Sequence, residues 1–118
     1  MIDKKELRLG NWFQDKFTGD RFQVILISDE IIGFDYETEK EWQAEPIPLT
    51  EEMLLKCGFY QENGVMSYAT QDYSSVKITY ETLAKYYRLY PYTYRIDYLH
   101  QLQNLYFDLT GEELEVNL

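Results

Sequence analysis

Few side chains in this sequence can do chemistry. His100 is the only imidazole and Cys57 the only thiol. Asp97 precedes His100 by three positions and Asn104 follows it by four, so all three can share one helix face. That spacing suits a general base oriented by a carboxylate. A nucleophile would then have to come from Ser67, Ser74 or Cys57, and nothing in the sequence selects one. A lone Asp-x-x-His is common by chance, and its ordinary reading is a histidine bonded locally at a helix start. Cys57 falls near a helix C-terminus, whose negative end raises a thiol pKa, so it reads as a small buried hydrophobe. No residue is assigned a catalytic role, and the chain is expected not to be an enzyme.

Two stretches carry the remaining potential. The segment Tyr86, Tyr87, Arg88, Tyr90, Tyr92, Tyr94 and Arg95, with Lys85 and Tyr98 beside it, mixes tyrosine with cations. Bases stack on aromatic faces while cations meet phosphates, so this composition suits a single-stranded nucleic acid platform. It suits a protein interface equally, since Tyr and Arg are enriched at binding hot spots. Cross-strand tyrosine pairs with wet hydroxyls are the structural reading. Between Asp29 and Glu45, Asp29, Glu30, Asp35, Glu37, Glu39, Glu41 and Glu45 face one base, Lys40. They lack the spacing and glycine of an EF-hand loop, so no metal site is expected. An acidic face of this kind can mimic nucleic acid phosphates towards a basic partner.

Composition narrows the classes. The 118 residues hold 21 acids and 11 Lys or Arg, a net charge of −10. That discounts nucleic acid binding by the surface as a whole. One cysteine excludes an internal disulfide, and one His with one Cys leaves no ordinary zinc site. The 6 glycines are scattered singly, so no phosphate-cradling loop exists and no cofactor is expected. Val24-Ile25-Leu26-Ile27 is the longest aliphatic run, far short of the ~20 residues of a membrane helix. The start, Met1-Ile2-Asp3-Lys4-Lys5-Glu6, lacks the apolar stretch of a secretory signal. A cytoplasmic protein without membrane attachment is expected.

These residues must be positioned by short elements. Leu7 to Gln14, Arg21 to Ser28, Ile31 to Tyr36 and Glu41 to Glu45 read as strands of a meander or small barrel. The continuous run Phe22 to Ile27 predicts burial on both faces. Thr50 reads as the N-cap of a short helix, ended by Gly58 with Phe59 folding back. Asn63-Gly64 predicts a tight hairpin turn between flanking strands. Ser74 to Tyr80 alternates as a half-buried strand. Leu83, Tyr86, Tyr87 and Tyr90 fit a helix face, so a loop or helical turn is expected there, then a strand from Tyr92 to Asp97. Leu99, Leu102, Leu105, Tyr106 and Leu109 predict the main helix, capped by Asp97 and stopped by Gly111. The tail could add an edge strand through Leu114, Val116 and Leu118. The expected core holds Leu9, Val24, Leu26, Ile32, Leu54, Val76, Ile78, Leu102, Leu105 and Leu109.

The expectation is one α+β domain over 1–118: a small N-terminal antiparallel β-barrel or meander packed with two helices and a second antiparallel sheet. Gly10-Asn11-Trp12 followed by strands is similar in outline to small barrels of the Tudor or KOW kind, where Trp12, Phe13, Tyr36 and Trp42 would line a groove.

Three segments carry a wider resemblance: Leu7 to Trp12, Pro46 to Phe59, and His100 to Leu114. Together they resemble a family of small uncharacterised proteins common in Bacteroidetes genomes and in their phages and mobile elements. Met53 and Cys57 depart from it, where bulkier aromatics are more usual. The resemblance implies a bacterial or phage cytoplasmic setting and no particular activity. The functional expectation is a small non-enzymatic protein–protein interaction module. The alternatives are an acidic nucleic-acid mimic or a single-stranded nucleic acid binding protein.

Overall fold

The computed structural model describes residues 4–62, 65–69, 75–90, 92 and 94–118. The fold is α+β, with two antiparallel sheets and two helices. The chain divides into two compact units: Met1–Pro48 with Tyr98–Asn104, and Leu49–Asp97 with Leu105–Leu118.

The first unit holds β1 (Trp12–Asp15), β2 (Arg21–Ile27), β3 (Ile32–Phe34) and β4 (Ala44–Pro46). They form one antiparallel sheet in the order β3-β2-β1-β4. β1 to β3 are the expected meander, and β4 returns to the free side of β1. β3 and β4 stay apart as the two edges, so the sheet is open rather than a closed barrel. Leu7, Phe13, Phe22 and Val24 are buried at its centre, with Ile27, Ile32, Phe34, Tyr36 and Ala44 packed around them.

Two expectations for this unit fail. β1 begins at Trp12, and Gly10 is the bulge its place in the strand predicted: at φ 89° its amide bonds Val24 O at 2.8 Å while the Val24 amide bonds Asn11 O at 2.9 Å, and Leu9 is left exposed. β2 is not buried on both faces. Its register slips between Val24 and Leu26, leaving Ile25 without a partner on β3. A bulge of this kind turns two consecutive side chains to the same side. Val24 and Ile27 therefore face the core while Ile25 and Leu26 are exposed.

The β1–β2 turn is built on Asp15, a buried carboxylate. Its Oδ1 accepts from the Phe17 and Gln43 amides at 3.1 and 3.3 Å, and its Oδ2 from the Thr18 and Tyr36 hydroxyls at 3.1 and 3.0 Å. Burial alone would raise its pKa. The amides of Phe17 and Gln43, then the two hydroxyls, outweigh that and hold it below the ordinary carboxylate value.

The second unit holds α1 (Glu51–Lys56), β5 (Tyr60–Glu62), β6 (Val65–Ala69), β7 (Ser75–Glu81), β8 (Tyr86–Leu89) and β9 (Arg95–Ile96), the strands paired antiparallel in chain order. α1 begins and ends as its sequence requires. Thr50 Oγ1 accepts from the Met53 amide at 3.1 Å. The Phe59 amide reaches back to Leu54 O and the Gly58 amide to Leu55 O, with Gly58 at φ 89°. β5 and β6 pair through Glu62↔Val65, the register of a two-residue turn. Asn63 and Gly64 themselves, like Ser74 and Pro91, lie outside the described residues.

The loop or helical turn expected after Glu81 is a turn over 82–85 only; Tyr86–Leu89 is already strand, and of the strand expected from Tyr92 to Asp97 the described residues show Arg95–Ile96. Pairing with β7 sets Tyr80 opposite Tyr87 and Ile78 opposite Leu89, so period two wins over the helical spacing. The tail forms no strand, although Leu114 is buried and the Asn117 amide bonds Lys56 O.

The second helix, α2 (Leu99–Thr110), contributes its first half to the first unit and its second half to the second. Its cap is Tyr98 rather than Asp97. The Tyr98 amide donates to Gln101 Oε1, half of a capping box, while the Asp97 carboxylate is taken by Arg95. Gly111 ends the helix at φ 74°. Leu102 is buried, Leu105 is half-buried, and Leu109 is exposed on the last turn.

Candidate functional site

The tyrosine-rich stretch becomes the β8–β9 hairpin at the edge of the second sheet. Cross-strand partners share a face, which sorts its side chains. Ile78, Leu89 and Ile96 are buried on one face, which continues at its open end into Tyr80 and Tyr87, with ring centroids 4.8 Å apart. The opposite face carries Glu81, Tyr86, Arg88 and Arg95. The structure therefore brings Tyr86, Arg88 and Arg95 together and sends Tyr87 to the other side. Tyr90, Tyr92 and Tyr94 fall in the β8–β9 connection and are 46%, 65% and 55% exposed.

Both arginines are already engaged. Arg88 Nε donates to the Glu81 carboxylate and Nη1 to Tyr92 O at 2.9 Å. Arg95 Nε donates to Asp97 Oδ1 at 2.7 Å, and its guanidinium lies 4.9 Å from the centroid of the Tyr86 ring. Lys77 and Lys85 form no ion pair among the described residues. Lys85 also holds a φ of 60°, unusual without glycine, in the turn whose Leu83 is almost wholly exposed.

Two clefts open beside β8. One, of about 300 Å³, is lined by Leu49, Tyr80, Lys85, Tyr86, Tyr87 and Asp97 among others. Burial, then the charges of Glu51 and Tyr80, push the Tyr87 hydroxyl pKa up. The other, of about 220 Å³, is lined by Val76, Lys77, Leu89, Tyr90, Tyr92 and Leu109. Tyr80, Lys77 and Leu109 were missed as site residues because they come from β7 and α2. Only the register of Tyr80 against Tyr87 could have signalled one of them.

No family model matches this chain, and no curated protein or solved structure matches it either.

The other candidates resolve into structure. His100 is buried, with its ring 4.9 Å from Phe13 and 5.9 Å from Tyr98, near parallel to both. Its Nδ1 has no hydrogen-bond partner, and burial pushes its pKa down to about 4. Asp97 is held by Arg95, and Asn104 bonds Asn11 and Glu6 O, so no carboxylate–imidazole relay is assembled. Cys57 is buried and burial pushes its thiol up to about 12, far from a reactive thiolate. The described residues contain no acidic, His or Cys group able to hold a metal. No described helix is long and apolar enough to cross a membrane.

The expected aromatic groove of the first unit is filled by its own rings. Trp42 meets Phe22, Phe34 and Tyr36 at 5.6, 6.0 and 5.2 Å, and Phe22 stacks on Tyr36 at 4.6 Å. Rings this close pack against each other, and strand alternation along β1 sends Trp12 to the face opposite Phe13, so the four expected lining residues do not share one groove.

Two of the segments that carry the resemblance, Leu7 to Trp12 and the start of His100 to Leu114, meet within the first unit. Asn11 Nδ2 donates to Asn104 Oδ1 at 2.9 Å, the Trp12 amide to Gln103 Oε1 at 2.9 Å, and Gln103 Nε2 to Gly10 O at 3.2 Å. The Leu99 amide bonds Ile47 O at 2.9 Å. These residues form a satisfied polar clasp that fixes the fold, not a reacting group.

Proposed function

We propose that this chain is a small non-enzymatic protein–protein interaction module whose partner docks on the β8–β9 hairpin. The observation that carries the reading is the pairing of exposed tyrosines with engaged arginines. Tyr90, Tyr92 and Tyr94 offer large amphipathic surface at low entropic cost, while Arg88 and Arg95 are held rigid by Glu81 and Asp97. The clefts on either side of β8 supply pockets for partner side chains. A phosphate chain would have to compete with Glu81 and Asp97 for those cations, which disfavours a single-strand binder. The resemblance of the three segments supports a bacterial or phage cytoplasmic setting.

A second reading, an acidic mimic of nucleic acid, draws support from the exposure of Asp29, Glu30, Asp35, Glu37, Glu39 and Glu41. One comparison tests both. Affinity capture from host lysate with the native chain and with Tyr90→Ala/Tyr92→Ala should return a partner that only the native chain retains. A partner kept by that variant but lost on reversing the acids favours the mimic. Retention on single-stranded DNA at near-physiological salt overturns both.

A further inference from the structure

We propose that the outer edge of β3 docks an extended, Lys- or Arg-rich segment of a protein partner, added to the first sheet as a further strand. This does not rest on the hairpin reading, because it uses a separate surface.

The bulge in β2 turns Ile25 and Leu26 outward together, and they are 60% and 47% exposed, with Ile31 at 58% in the adjoining turn. Gly33 lets Leu26 lie flat across β3. A Cβ there would sit 3.0 Å from Leu26 Cβ, so Leu26 would have to give by a few tenths of an ångström. The result is an apolar strip on the outer face of the β2–β3 hairpin, where isolated exposed residues would need no explanation.

Beside the strip lies a free strand edge. β3 pairs with β2 on one side, with the Ser28 amide bonding Ile31 O and the Asp35 amide bonding Gln23 O, both at 2.9 Å. Strand alternation then turns the N–H and C=O of Ile32 and Phe34 away from β2. Among the described residues no strand pairs with them. An edge of this kind is a template for strand addition.

Charge selects the occupant. Asp29, Glu30, Asp35 and Glu37 are exposed at the two ends of the edge. A second copy paired antiparallel through β3 would set the acids of one end against those of the other, which like-charge repulsion opposes. A basic extended segment places cations there and its apolar side chains along Ile25, Leu26 and Ile31.

The test is an NMR titration of the full chain with a short peptide alternating lysine and valine, and with its glutamate counterpart. The expected result is shifts concentrated at residues 25–35, new exchange protection at the Ile32 and Phe34 amides, and no response to the glutamate peptide. Ile31→Lys and Glu30→Lys, both at exposed positions, should each weaken binding about tenfold or more. Tyr90→Ala/Tyr92→Ala should leave it unchanged, which separates this site from the hairpin. Unaltered resonances elsewhere report that each variant is folded, and if one is not, the other decides. No shift at millimolar peptide, shifts centred elsewhere, equal binding of the glutamate peptide, or undiminished affinity in the folded variants overturns the proposal.

Discussion

Both units are rich in aromatic residues and use them in opposite ways. In the first, Phe13, Phe22, Phe34, Tyr36 and Trp42 form a cluster with neighbouring ring centroids 4.6 to 6.0 Å apart. In the second, Tyr90, Tyr92 and Tyr94 stand exposed on a connection. Position relative to the ladder makes the difference. Phe13 is opposite Phe22 and Val24 opposite Phe34, so the sheet itself delivers those rings to one face. Tyr90 lies just past the end of β8, and although its amide still bonds Lys77 O at 2.8 Å, its side chain stands exposed. The same ring chemistry therefore supplies stability in one region and accessible surface in the other.

The largest expected effect breaks the first region. Phe22→Ala removes a ring that touches Phe34, Tyr36 and Trp42, and should cost about 3–5 kcal/mol by denaturant unfolding. Only a small loss would mean that the cluster is loose, like the hairpin.

His100 gives the next largest effect, and it depends on pH. Its folded pKa, about 4, lies below its ordinary value of 6.5, so folding favours the neutral ring. The stability this contributes is full above pH 6.5 and is lost as pH falls towards 4, an effect on the order of 3 kcal/mol or less. His100→Phe keeps a ring beside Phe13 and should flatten stability between those pH values without touching partner binding. An unchanged pH profile would put the titration elsewhere.

Within the second unit, stability should reside in the framework. Thr50→Ala removes the cap of α1 and should cost about 1 kcal/mol. Lys85→Gly relieves the positive φ and should raise stability by about 0.5 kcal/mol, net of the entropy glycine adds to the unfolded chain. Tyr92→Ala should change stability by less than about 0.5 kcal/mol while abolishing partner capture. A large loss of stability there would make Tyr92 part of the core and remove the contrast between the two regions.

Features set by local chemistry were legible in the sequence. Thr50 and Gly58 bound α1, Gly111 stops α2, and the meander follows from the spacing of short apolar runs. The alternation of Val76 and Ile78 marked β7. The candidate hairpin was legible as a cluster of residue types, though not as a surface. Sequence could not show that Arg88 and Arg95 are engaged, that Tyr87 parts from Tyr86, or that Tyr80 and Leu109 line the clefts, since each depends on register or on a distant element.

The sequence by itself determined the α+β class, the Thr50 cap of α1, the glycine stops of both helices and the separation of an acidic stretch from a tyrosine-rich one, because these rest on contacts within a few residues. Tertiary structure alone decided the rest. The β2 bulge exposes Ile25 and Leu26 through a one-residue slip against β3. The burial of His100 against Phe13 and the clasp of Asn11 with Asn104 join residues far apart in the chain. No spacing rule reaches that far, and a side chain's environment is set only when its distant neighbours arrive.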